Sequence, residues 1–113
     1  MKNKILPCVV GLGYVGLPVF LKLNKHFKTI GYDINQNRVS SLNKLIDINK
    51  EFPKQDLKLK NGSRLTNNKK EISKCNFFII SVPTPIKKNF KPDLSYLKKA
   101  SVSIAKVIKK DDI

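Results

Sequence analysis

Apolar residues in this chain fall into short blocks whose spacing alternates between two kinds. Residues 5–10 are continuously apolar and of strand length, which predicts a first strand at Ile5–Val10. Leu17, Phe20, Leu21 and Leu23 then recur at helical spacing and predict a helix over Tyr14–Asn24. Pro18 falls in its first turn, where a missing N–H is tolerated. Thr29–Tyr32 is β-rich and predicts a second strand. Asn35 is placed to cap a second helix, along which Val39, Leu42 and Ile46 mark the apolar side.

The pattern fades between Ile48 and Lys70, where lysine and asparagine dominate and Pro53 and Gly62 act as breakers. A loop is expected there, with a short helix near Pro53–Leu59 and a third short strand at Arg64–Asn67. Glu71–Lys74 reads as a helical turn. Phe77–Val82 is an unbroken apolar run, as expected of a strand buried on both faces. Pro83-Thr84-Pro85 ends it. After a lysine-rich loop, Asp93 opens a helix over Leu94–Lys109, with Leu94, Leu97, Ser101, Ile104 and Ile108 as its expected buried stripe. Asp111-Asp112-Ile113 reads as the approach to a further strand. Strand and helix alternate throughout, which implies an α/β fold with a parallel sheet and crossover helices.

The turn after the first strand carries chemistry. It reads Gly11-x-Gly13-x-x-Gly16, and Asp33 follows Gly13 by 20 positions at the end of the second strand. A glycine at position 11 permits a tight turn. Gly13 lets the backbone approach a pyrophosphate, and Gly16 lets the helix pack closely on the sheet. The helix N-terminus offers free N–H groups and partial positive charge to phosphate. Asp33 can accept from a ribose diol and repels a 2′-phosphate, which favours NAD over NADP. The alternative is a tight strand-to-helix turn that binds nothing.

Composition bounds this reading. A chain of 113 residues with 41% hydrophobic residues supports one domain with a real core. No apolar run reaches the ~20 residues of a membrane span. The basic start, Met-Lys-Asn-Lys, precedes an apolar stretch too short for a signal peptide, so a cytoplasmic location is expected. Cys8 and Cys75 give neither a disulfide framework nor metal-ligand spacing, and both read as reduced packing residues. His26 is the one histidine and reads as a helix-end residue. The formal net charge is +15, yet of 23 basic residues only Arg38 and Arg64 are arginine, leaving 21 scattered lysines. No aromatic platform accompanies them, so no specific nucleic-acid partner is expected. Nonspecific polyanion binding at low salt is.

Three segments together resemble one family. Val10-Gly-Leu-Gly-Tyr-Val-Gly-Leu-Pro18, Gly31-Tyr-Asp-Ile-Asn35 with Arg38 and Val39, and Phe77-Phe-Ile-Ile-Ser-Val-Pro-Thr-Pro85 are similar to the UDP-sugar 6-dehydrogenases, as is Lys91-Pro-Asp-Leu94. The flavour is that of the branch acting on UDP-N-acetylhexosamines for bacterial surface polysaccharides. The resemblance implies a Rossmann-like parallel sheet with flanking helices, truncated before the sheet is complete. Residues 1–113 would be its N-terminal NAD-binding domain, with the sugar-binding and dimerisation domains absent and no catalytic residue in this chain. It implies NAD as cofactor, and a UDP-sugar substrate and a homodimer only for the full-length enzyme. That enzyme oxidises the sugar C6 alcohol to a carboxylate with two NAD⁺.

Carried over by position, Gly11, Gly13 and Gly16 would form the phosphate turn. Tyr14 and Val15 would lie against the cofactor, Asp33 would hold the adenosine ribose, and Arg38 would sit near the adenine. Thr84 would contact the cofactor on its ribose or nicotinamide side. Each has a plainer alternative: packing for Tyr14, a solvated helix position for Arg38, a turn role for Thr84, a surface role for Glu51. One departure is Leu45, where the family carries glycine and a positive φ would be strained. Two other functions stay open: a free-standing nucleotide-binding module and a basic polyanion-binding protein.

Overall fold

The computed structural model describes residues 4–113, so the basic start at residues 1–3 lies outside it. Four strands, β1 (Pro7–Val10), β2 (Ile30–Tyr32), β3 (Arg64–Thr66) and β4 (Phe77–Ile80), form one sheet in the order β3-β2-β1-β4. Every pairing is parallel; Val9 stands beside Gly31 and Ile79, and Gly31 beside Leu65. Three helices accompany the sheet: α1 (Gly16–Asn24), α2 (Gln36–Asn43) and α3 (Ser95–Ala105). Short 3₁₀ turns occupy Lys54–Leu57 and Lys69–Ile72.

The pleat divides the core in two. Val9 joins Leu12, Leu17, Phe20, Leu21, Val39, Leu42 and Leu65 under α1 and α2. Cys8 and Val10 join Ile30, Tyr32, Ile72, Ala100 and Ile104 under α3. Alternate β1 residues thus serve opposite faces, as a period of two requires. The apolar runs of β1 and β2 are fully buried because helices cover both sides.

Several sequence expectations hold. Asn35 caps α2, its side chain accepting from the Arg38 N–H at 3.1 Å. The third strand and the short helical turn after Pro53 are present. The final approach is real too. Ile113 donates its N–H to the Asn76 carbonyl (3.0 Å) and accepts from Phe78 (2.6 Å), the two bonds of a parallel bridge on the outer side of β4.

Other expectations need correction. The first strand begins at Pro7, and α1 begins at Gly16 because Tyr14 and Val15 belong to the turn. Ile46 is exposed, since α2 ends at Asn43. The turn read at Glu71–Lys74 sits at Lys69–Ile72. The fourth strand stops at Ile80 and is only partly buried, because it lies at the end of this sheet. Helix α3 runs Ser95–Ala105 and buries Ala100, Ser103 and Ile104, whereas Leu94, Leu97, Ser101 and Ile108 do not reach the core. Ala100 and Ser103 face the sheet together with Ile104, and Tyr96 borders a groove between them and Val10, Tyr32 and Val82.

Candidate functional site

The carboxyl ends of β1, β2 and β4 open onto a cleft of about 710 Å³. Its lining includes Gly11, Gly13, Tyr14, Val15, Asp33, Arg38, Ile48, Asn49 and the segment Ile80–Pro83. Strand ends in an open α/β sheet are where such folds bind ligands. A smaller groove of about 340 Å³ near the C-terminal end of α1 is lined by Pro18, Lys22, Lys25, Phe52 and Lys60 and lies away from every strand end.

The turn from β1 to α1 is built from three glycines with three different reasons. Gly11 has φ +100, and a Cβ there would lie 2.7 Å from the Ser81 carbonyl oxygen. At Gly16 a Cβ would overlap the Gly11 carbonyl, so this glycine closes the turn on itself. At Gly13 a Cβ would meet nothing within 4 Å. Packing therefore explains Gly11 and Gly16 but not Gly13, whose bare backbone faces the cleft. No side chain caps α1, and the N–H groups of Gly13, Tyr14, Val15 and Gly16 make no hydrogen bond among the described residues. Tyr14 and Val15 are two-thirds exposed, at 67% and 68%. These are the features that a diphosphate needs: free donors, a helix dipole and no Cβ in the way.

Asp33 directly follows β2 and is half-buried. Its Oδ2 accepts from the Leu12 N–H and its Oδ1 from the Asn35 N–H, both at 2.9 Å. Two backbone donors thus fix the carboxylate beside the glycine turn, with acceptor capacity left for ribose hydroxyls.

Arg38 is not a solvated helix residue. It is buried, with Nε donating to the Leu12 carbonyl at 2.8 Å and Nη1 to Asp47 Oδ1 at 2.9 Å. Leu12 is consequently held at both ends, by Asp33 on its N–H and Arg38 on its carbonyl. Asp47 also accepts from the N–H groups of Asn49, Glu51 and Phe52 at 2.9–3.1 Å. Burial raises the pKa of its carboxyl, but the bonds from Arg38 and the three backbone groups outweigh burial and hold it below the ordinary value. Sequence reasoning missed Asp47, because it sits in an aperiodic loop and its partner is nine positions upstream.

Six of the eight expected site residues line the cleft: Gly11, Gly13, Tyr14, Val15, Asp33 and Arg38. Gly16 shapes the turn from beneath, and Thr84 is exposed just past the lining, beyond Pro83. Ser81 was missed; its N–H bonds the Val10 carbonyl at 2.7 Å and its own carbonyl abuts Gly11. Cys8 and Cys75 are free and fully buried. The neighbouring Cys75 thiol and burial push the Cys8 thiol well above its ordinary pKa, so it stays protonated. Among the described residues no group of His, Cys, Asp or Glu could hold a metal ion.

The sequence profile of the UDP-glucose/GDP-mannose dehydrogenase family, NAD binding domain, matches residues 4–113. The chain belongs to this family. It is 48% identical over 105 residues to a UDP-N-acetyl-D-glucosamine 6-dehydrogenase of Pseudomonas aeruginosa, covering 93% of this chain and 25% of that protein. Over 121 residues it is 40% identical to a UDP-N-acetyl-D-mannosamine dehydrogenase of Campylobacter jejuni, covering 98% of this chain and 28% of that one. Among solved structures, a UDP-D-ManNAc dehydrogenase from Pyrococcus horikoshii superposes with a TM-score of 0.87 at 28% identity. That match covers 96% of this chain and 27% of the other. This chain of the dehydrogenase family therefore spans about a quarter of the length of the relatives it matches.

Proposed function

We propose that the cleft is an NAD site and that this chain is the cofactor-binding portion of a UDP-sugar 6-dehydrogenase. In this reading the pyrophosphate rests on the N–H groups of Gly13 to Gly16, and Asp33 accepts from the adenosine ribose. Tyr14 and Val15 flank the cofactor, Arg38 lies at its adenine end and Thr84 beyond the rim on the nicotinamide side. Bound NAD⁺ supplies a hydride acceptor; the chain's own residues bind and orient it. The substrate class under this reading is a UDP-N-acetylhexosamine oxidised at C6 by the whole-length enzyme. The homodimer belongs to that whole-length enzyme too. A cytoplasmic location accords with two free thiols, and no helix of the described residues is long and apolar enough to cross a membrane.

One observation carries the proposal: Gly13 is open on its Cβ side although nothing in the protein needs that space. Titration of the 113-residue chain with NAD⁺ at physiological salt, followed by amide chemical shifts, tests it. Saturable shifts centred on Gly13–Gly16 and Asp33, and their loss in Gly13→Ala, are expected. Shifts scattered over lysines, or binding unchanged by Gly13→Ala, would refute it. A second reading rests on the charge of +15. It expects heparin binding that collapses between low and physiological salt and is indifferent to Gly13.

A further inference from the structure

A guanidinium beside the adenosine end of a dinucleotide cleft is the group that accommodates a 2′-phosphate. Arg38 stands at that place, yet it is not available as a free cation. Nε is spent on the Leu12 carbonyl and Nη1 on Asp47, whose side chain is 1% exposed against 10% for Arg38. Nη2 makes no hydrogen bond among the described residues, and no buried side-chain nitrogen is left without a partner, so Nη2 keeps a path to the cleft.

We propose that Asp47 is a specificity-determining residue: by pairing with Arg38 it keeps the cleft selective for a nucleotide with a free 2′-hydroxyl. The inference rests on the reading of the cleft as a dinucleotide site. The geometry gives Asp47 this part in two ways. Its bond to Nη1 fixes the plane of the guanidinium, because Nε is anchored on Leu12 at the same time, so the fork cannot turn to grip a phosphate. Its charge also decides the local balance. Asp33, Arg38 and Asp47 together carry two negative charges and one positive, a net −1, which disfavours a further anion. Without the Asp47 charge the trio is neutral and the guanidinium is released. Asp47 touches no ligand in this arrangement; it acts through Arg38 and is a positioning residue. The same carboxylate gathers the N–H groups of Asn49, Glu51 and Phe52, so Ile48 and Asn49 form the cleft wall next to the pair.

The test compares 5′-AMP with adenosine 2′,5′-bisphosphate on the 113-residue chain, for wild type and Asp47→Asn. The readout is the ratio of the two affinities, which a general loosening of the fold leaves unmoved. In wild type 5′-AMP is expected to bind better. In Asp47→Asn the ratio should move toward the bisphosphate by about tenfold, the scale of one charged hydrogen bond. Restoring the charge with Asp47→Glu should move it back. An unchanged ratio in Asp47→Asn with 5′-AMP still bound overturns the inference and leaves the nucleotide site standing. Failure of wild type to bind either nucleotide overturns both. Should Asp47→Asn not fold, the Arg38 Nε–H resonance of wild type decides. A shift of that resonance caused by the bisphosphate and not by 5′-AMP overturns the inference; the same position with both ligands supports it.

Discussion

Three glycines of one motif respond differently to a methyl group. Gly13→Ala is expected to leave stability unchanged within about 1 kcal/mol, since the added carbon meets open space. The same change should weaken NAD⁺ at least tenfold in the shift titration. Gly16→Ala instead drives a carbon into the Gly11 carbonyl and should destabilise by about 3 kcal/mol or more in urea denaturation. The spacing made the motif legible in the sequence, but not which glycine serves the fold and which the ligand. That division depends on Ser81 and on the turn's own backbone, neither of which a spacing encodes. Arg38 was legible as part of a match and Asp47 was not, because their bond joins a helix to a loop without periodicity. Asp47 also sets an acid response. Its folded pKa lies below the unfolded value, so its contribution is full above about pH 4, the unfolded carboxyl range. It fades as pH falls through the lower folded value. Urea midpoints of wild type should therefore drop on acidification below about pH 4, with a shallower drop in Asp47→Asn.

At the level of elements, β1, β2 and α1 could be read because strand and helix periods agree with burial on both sheet faces. Helix α3 could not be read in detail. Of its five expected stripe positions only Ile104 reaches the core; Leu94, Leu97, Ser101 and Ile108 stay exposed, and the sheet receives Ala100 and Ser103 beside Ile104. The loop after β4 shows a related strain. Ile86 and Pro92 pair across it, and Phe90 sits at its tip with φ 62 and 90% exposure. A bulky side chain gains nothing there and bears the left-handed backbone. Phe90→Gly should raise stability by about 0.5–1 kcal/mol, the left-handed penalty less the added chain entropy of glycine. A lower urea midpoint would contradict this. Leu45 bears a similar φ of 63, as its departure from the family glycine implied, but it packs against the core, so the same substitution removes contacts too.

The whole molecule buries a core on both sides of four strands but leaves Tyr96, Leu97 and Val102 of α3, and Ile108 just past it, between 37% and 55% exposed. Such a surface favours self-association. The 113-residue chain should bind a hydrophobic dye and melt broadly, and its sedimentation should depend on concentration. A sharp, concentration-independent melt would disprove this. The sheet order has a further consequence in time. β1 is one of the two inner strands and the first to be synthesised, yet its two neighbours are not made together. Cys8 meets Ile30 on one flank and Phe78 on the other. Translation at roughly 5–20 residues per second separates those partners by several seconds. During that interval the nascent cleft has a floor with one bare margin of peptide groups, open to any passing strand. The same central position that lets one short segment support the whole binding surface makes it the segment most in need of shelter while the ribosome works.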